Sequence, residues 1–166
     1  MQEVTVELLT DLAPEVNTTN LLLDRVARGA QRPLFSVQRD GTWHDLSAGD
    51  FLIDVKRLAM VLINDGLQPG DKVAIISRTR YEWALAEEAV WFAGGVSVPI
   101  YETSSAFQVE WILRDSGARV VFAENHELRA TVRQAAAQLG EPVRTHIFEG
   151  SDAADTTLIP SAGLYQ

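Results

Sequence analysis

Apolar positions in this chain switch repeatedly between two spacings, and the switches mark its elements. Residues 73–76 are an unbroken apolar run, mostly β-branched, which suits a strand buried on both faces. Residues 81–93 are rich in Ala, Leu and Glu and free of Gly and Pro, so a helix is expected there. Gly94-Gly95 supplies the left-handed conformations that end it. Val96–Ile100 is the next short apolar run. Together these form one βαβ unit, and such a crossover makes its two strands parallel.

The flanks repeat the pattern. Residues 1–16 alternate weakly and read as a lead-in or extended arm. Asn17 or Thr18 caps a helix over 19–28, with Leu21, Leu22, Val26 and Ala27 apolar. Residues 33–39 and 42–45 flank Asp40-Gly41, a hairpin signal. Ser47 caps a helix to Asp65, with Asp50 at the third position in a capping box that has Asp for Glu. Phe51, Val55, Leu58 and Leu62 recur at i, i+4, i+7 and i+11, and Leu52, Ala59 and Ile63 widen that stripe. After the central unit, Ser105 and Gln108 form a second capping box. Its helix is expected to carry Phe107, Trp111 and Ile112 inward and to end at Ser116-Gly117. A buried strand follows over 119–123, then a helix from an Asn125 cap to about Leu139, then a strand over 143–148. From Gly150 on, Ser, Asp, Ala and Thr predict a loop or a frayed end.

Helices and strands alternate from Ser47 to Phe148. The expected fold is therefore α/β: a three-layer αβα domain with an open, mostly parallel sheet and helices on both faces, preceded by a short β-hairpin and helix. The divisions are 1–46 for arm, helix and hairpin, 47–149 for the αβα unit, and 150–166 for the end.

Composition narrows the function. At 166 residues one domain is expected. The net charge of −9 would repel nucleic-acid phosphates, so no nucleic-acid partner is expected. With no Cys, disulfides and thiolate zinc sites are excluded. No secretory signal is visible, and no apolar run reaches the length of a transmembrane segment.

Candidate chemistry is sparse. GxGxxG and GxxxxGK[ST] are both absent, and Gly94-Gly95 follows a helix rather than opening one, so it is a helix stop and not an anion site. Ser97 lies within a strand and Pro99 takes the place of the second Gly of a nucleophile elbow. His126-Glu127 begins like HExxH, but Ala130 occupies the second His position, and His44 and His146 lack ligand spacing. No metal ligand set follows. Glu82, Glu87 and Glu88 are the polar residues of an otherwise apolar helix. They could do acid–base work, although a solvated stripe or a salt bridge to a partner segment is the commoner use of such residues.

The words GDKVAI, AGGVSVPIY and DSGARVVF, in that order and with YET following the second, carry a resemblance. From about Trp43 to about Glu127 the chain resembles the N-terminal part of a long-chain fatty-acid–CoA ligase of the adenylate-forming, AMP-binding superfamily. Trp111 departs from the Tyr of many relatives. By that resemblance, the parent protein is an enzyme using ATP, Mg²⁺ and CoA. It would form an acyl-adenylate from a long-chain fatty acid and pass the acyl group to CoA. The chain itself ends at Gln166, before the Ser/Thr/Gly-rich phosphate loop and the later lysine. It is therefore expected to be inactive alone, to bind none of these cofactors, and to hold no catalytic residue. The resemblance places Arg129 and Arg133, one turn apart on a helix, toward the 3′-phosphorylated nucleotide of CoA, where guanidinium forks suit phosphate. It places Tyr101 and Thr103 in a loop bordering the CoA channel. Expected partners are the rest of the parent ligase and a second copy of the chain, through the apolar helix at 81–93 or the arm at 1–16. The expected location is cytoplasmic or peripheral to a membrane. The other reading is a stand-alone doubly wound binding or interaction module without catalysis.

Overall fold

The computed structural model describes residues 16–39 and 41–149; the expectations for 1–15 and from Gly150 onward lie outside the described residues. The elements are α1 (Thr18–Ala27), β1 (Pro33–Arg39), β2 (Thr42–Ser47), α2 (Ala48–Asn64), β3 (Lys72–Ile76), α3 (Tyr81–Phe92), β4 (Val96–Ile100), α4 (Ala106–Ser116), β5 (Val120–Ala123), α5 (His126–Ala136) and β6 (Arg144–Ile147). Strands β4, β3, β5 and β6 lie in that order in one parallel sheet, and β1 and β2 form a separate antiparallel hairpin. No described helix is long and apolar enough to cross a membrane.

Alternation along β3 builds the layers. Val73 and Ile75 point to one face and Ala74 and Ile76 to the other, and all four are fully buried. The first face packs under α2 and α3, through Val55, Leu58, Leu62, Leu85, Ala86, Ala89 and Val90. The second packs under α4 and α5, through Val109, Leu113, Val132 and Ala135. The hairpin and α1 lie over α2 and α3. Phe35 of β1 sets its ring 4.8 Å from Phe51 and edge-on to Tyr81 at 5.5 Å, which fastens the hairpin to both helices.

The helix starts follow their caps. Asn17 with Asn20, and Ser105 with Gln108, close full capping boxes. At α2 the Ser47 hydroxyl accepts from the Asp50 N–H, but the return contact is hydroxyl to carboxylate, at 2.6 Å. Asp is one methylene short of reaching the backbone N–H of the cap.

Four local expectations change. Of the pair Gly94-Gly95, Gly94 alone is left-handed, at φ +81°. Gly95 is there for space, since a Cβ would meet Val90 Cγ1 at 3.0 Å and the Asp71 carbonyl at 3.2 Å. Ile63 is half exposed rather than part of the α2 stripe. Helix α5 stops at Ala136, three residues early. On α4, Phe107 and Trp111 are 75% and 60% exposed, while Val109 and Leu113 are buried. The two pairs sit two residues apart, about 200° round the helix. The start fixed by the Ser105 cap turns the smaller pair to the sheet and the aromatic pair to solvent.

Candidate functional site

The chain leaves β3 toward α3 on one face of the sheet, and leaves β4 and β5 toward α4 and α5 on the other. Loops that part in this way open a crevice at the carboxyl ends of the strands, the usual ligand position in open α/β sheets. A cavity of about 520 Å³ lies there, lined by Ser77, Arg78, Thr79 and Trp83 after β3 and by Pro99, Ile100, Tyr101 and Glu102 of the β4 end.

Beside it stands an ionic cluster. Glu124 follows β5 directly and is only 2% exposed. Its Oε2 accepts the Arg78 backbone N–H at 2.8 Å, and its Oε1 accepts Arg78 Nε at 2.9 Å and Nη2 at 2.5 Å. The Ser77 hydroxyl is shared between Glu124 Oε2, at 3.2 Å, and the Arg78 carbonyl, at 2.8 Å. Arg80 approaches the same carboxylate at 3.7 Å and pairs with Glu82 and Glu149. Burial pushes the Glu124 carboxyl up, but the hydrogen bonds from Arg78 and Ser77 outweigh it and hold the group below the usual carboxylate range. Arg78 is raised in turn by its hydrogen bonds to Glu124. Its guanidinium stays 68% exposed and faces the cavity with Nε and Nη2 already committed.

The loop residues expected from the sequence do reach this edge. Tyr101 follows β4 directly, is 83% exposed and lines the cavity. Thr103 lies in the same loop and is exposed. Arg129 sits in the first turns of α5, close to the edge and half buried, and Arg133 is exposed about 6 Å further down the helix. The two arginines share a helix but differ in depth and burial. Ser77, Arg78, Arg80 and Glu124 were not singled out in advance. Polar residues placed directly after buried apolar strands were the available signal, because Ile76 and Ala123 are paired in register and bring the next residues together.

The carboxylates of α3 depart from the solvated-stripe reading. Glu82 holds Arg80 at 2.6 Å. Glu87 accepts the Ser97 hydroxyl at 3.1 Å. Glu88 has its Oε2 enclosed with no hydrogen-bond partner. Among the described residues no group of three metal-ligating side chains gathers.

Residues 23–166 match the family model described as AMP-binding enzyme. Over 85 residues, 51% of this chain and 14% of the relative, the sequence is 51% identical to the long-chain-fatty-acid–CoA ligase FadD15 of Mycobacterium bovis; the FadD15 of Mycobacterium tuberculosis is 49% identical over the same length. The matched stretch is thus about one seventh of the length of these curated relatives. Among solved structures, a long-chain-fatty-acid–CoA ligase (FadD1) of Archaeoglobus fulgidus superposes with a TM-score of 0.73 at 15% identity, over 89% of this chain and 30% of that one, a likeness of fold.

Proposed function

Because the chain belongs to the AMP-binding enzyme family, we propose that it is the N-terminal part of a long-chain fatty-acid–CoA ligase. The parent enzyme activates a long-chain fatty acid with ATP and Mg²⁺ to an acyl-adenylate and transfers the acyl group to CoA. The observation that carries this reading is the 51% identity to a ligase of that name. Within the parent, the αβα unit is the scaffold, and the carboxyl edge of its sheet is one wall of the CoA approach. Tyr101 and Thr103 line that wall, and Arg129 and Arg133 hold the nucleotide phosphates. The open crevice beside Tyr101 supports this placement. Catalysis is assigned to the rest of the parent, and the αβα unit to support and to the CoA approach. The parent works in the cytoplasm or at a membrane surface. Self-association is part of the proposal, and the exposed Phe107 and Trp111 of α4 support it better than α3, none of whose large apolar side chains is exposed.

The test uses the full-length parent with ATP, a C16 fatty acid and CoA. Arg129→Ala is expected to raise the KM for CoA several-fold and to leave adenylate formation, read as pyrophosphate release, unchanged. A sheltered charge-assisted hydrogen bond is worth about 1.5–3 kcal/mol and an exposed one roughly 0–1 kcal/mol, so Arg133→Ala is expected to do less. An unchanged KM in both single variants and in the double variant removes the phosphate role. A parent that makes no acyl-CoA at all removes the ligase reading.

A further inference from the structure

A second cavity, of about 240 Å³, lies between α3 and the layer formed by α1 and the hairpin. It shares no lining residue with the cavity at the sheet edge. Most of its wall is apolar, with Leu22 from α1, Phe35 from β1, Phe51 from α2 and Ala84 from α3. Its charged lining is Arg25, Glu87 and Glu88. Arg25 turns its Nη2 to the Pro33 carbonyl, at 3.1 Å. Among the described residues neither carboxylate has an ion-pair partner. Two neighbouring acidic groups therefore share an apolar chamber with one guanidinium, which turns to the Pro33 carbonyl and pairs with neither of them.

That arrangement selects the ligand by charge and shape. An anion would meet two carboxylates against one arginine that already bonds the Pro33 carbonyl. A chelated divalent ion needs a fuller ligand set than two side chains provide. A neutral apolar molecule would fill the chamber and leave the Glu88 charge uncompensated. We propose that this cavity is a binding site for a small primary ammonium on a short apolar stem, with the ammonium between Glu87 and Glu88 and the stem against Leu22, Phe35 and Phe51. The volume equals about eight waters, which suits a stem of roughly five carbons. In such surroundings the attraction between a cation and a carboxylate is stronger than in water. The site goes beyond the ligase reading and does not depend on it.

Ionisation supplies the handle for a test. Burial, and then the neighbouring Glu87, push the Glu88 carboxyl up to about 7. Burial also raises Glu87, against the Ser97 hydroxyl, which lowers it. Of the groups facing Glu88 across the cavity, α3 supplies Glu87 and α1 supplies Arg25, while β1 and α2 supply apolar side chains. An alkylammonium resembles a lysine head and stays protonated through this range. It therefore binds the ionised carboxylate and competes with the proton below neutrality.

The experiment titrates n-pentylammonium, and n-pentanol as the neutral control, into the isotope-labelled chain at pH 6 and pH 8, followed by NMR. The amine is expected to bind about tenfold more tightly at pH 8, because a group titrating near 7 goes from mostly protonated to mostly ionised across that interval. Pentanol is expected to bind more weakly and equally at both pH values. Glu88→Gln should abolish the amine preference and its pH dependence and retain pentanol binding, which shows that the chamber is intact. Glu87→Gln should lower amine affinity several-fold and keep the pH dependence. An amine that binds no better than pentanol at pH 8, or equally well to Glu88→Gln, overturns the proposal, and so does a chamber that takes up neither probe.

Discussion

Glu124 and Glu88 are both carboxylates drawn out of water by the same fold, and their chemistry runs in opposite directions. At the sheet edge Glu124 meets a backbone N–H, a hydroxyl and a guanidinium fork, and it stays ionised below the usual range. Beneath α1, Glu88 meets apolar side chains, a second carboxylate and an arginine turned to the Pro33 carbonyl, and burial pushes it up to about 7. Burial raises both groups. The donors around each one decide the outcome. The edge is thus a satisfied cluster beside a cavity, while the α1 chamber keeps a carboxylate oxygen without a hydrogen-bond partner.

The sharpest way to break this contrast is to remove the edge carboxylate. Glu124→Ala removes the acceptor of the Arg78 N–H and leaves the Ser77 hydroxyl with the Arg78 carbonyl alone, and a loss of about 1–3 kcal/mol in urea unfolding is expected. A change below 0.5 kcal/mol would mean that the cluster adds little to stability. A subtler variant keeps the carboxylate and removes the fork. Because the folded Glu124 carboxyl is depressed, its contribution is present above the unfolded value of about 4.3 and lost as pH falls through the folded value. In Arg78→Ala that depression shrinks, so the midpoint of acid unfolding should move to higher pH. An unmoved midpoint would assign the depression to the backbone N–H and Ser77 alone. The smallest effect belongs to the other carboxylate. Glu88 is raised, so its stabilising contribution is complete below about 4.3 and is lost as pH climbs through about 7. Glu88→Gln should therefore gain about 1–2 kcal/mol at pH 8, after discounting for the part of the group that water screens, and nothing at pH 4. Equal gains at both pH values would mean that the substitution acts by packing rather than by charge.

The same contrast shows what the sequence could reveal. Local chemistry was legible. The Ser105 and Gln108 box, the Ser47 cap and the Val96–Ile100 strand stand where their residues place them, and the alternation of β and α gave the layers. The turning of an element against its neighbours was less so. Helix α4 offers two apolar pairs, and the bulkier pair points outward. The loop carrying Tyr101 could be placed because it follows a strand in a parallel sheet. Arg78 and Glu124 are 46 residues apart, and no local spacing links them until the register of β3 with β5 is known. Glu88 is harder still, since α3 is apolar almost all round and only the position of α1 decides which carboxylate is enclosed.

The strand order also sets a timetable. The central strand β3 precedes both of its neighbours in the chain, so a ribosome releases it before either. Strand β4 comes next and can dock through the compact βαβ unit. Glu124 emerges 46 residues after Arg78. At about 5–20 residues per second the arginine waits roughly 2–9 s for its carboxylate. During that interval the β5 side of β3 presents an open row of N–H and C=O groups beside an unanchored loop. The sheet thus grows outward from its middle, and the Arg78–Glu124 pair locks the third strand in place before β6 is added.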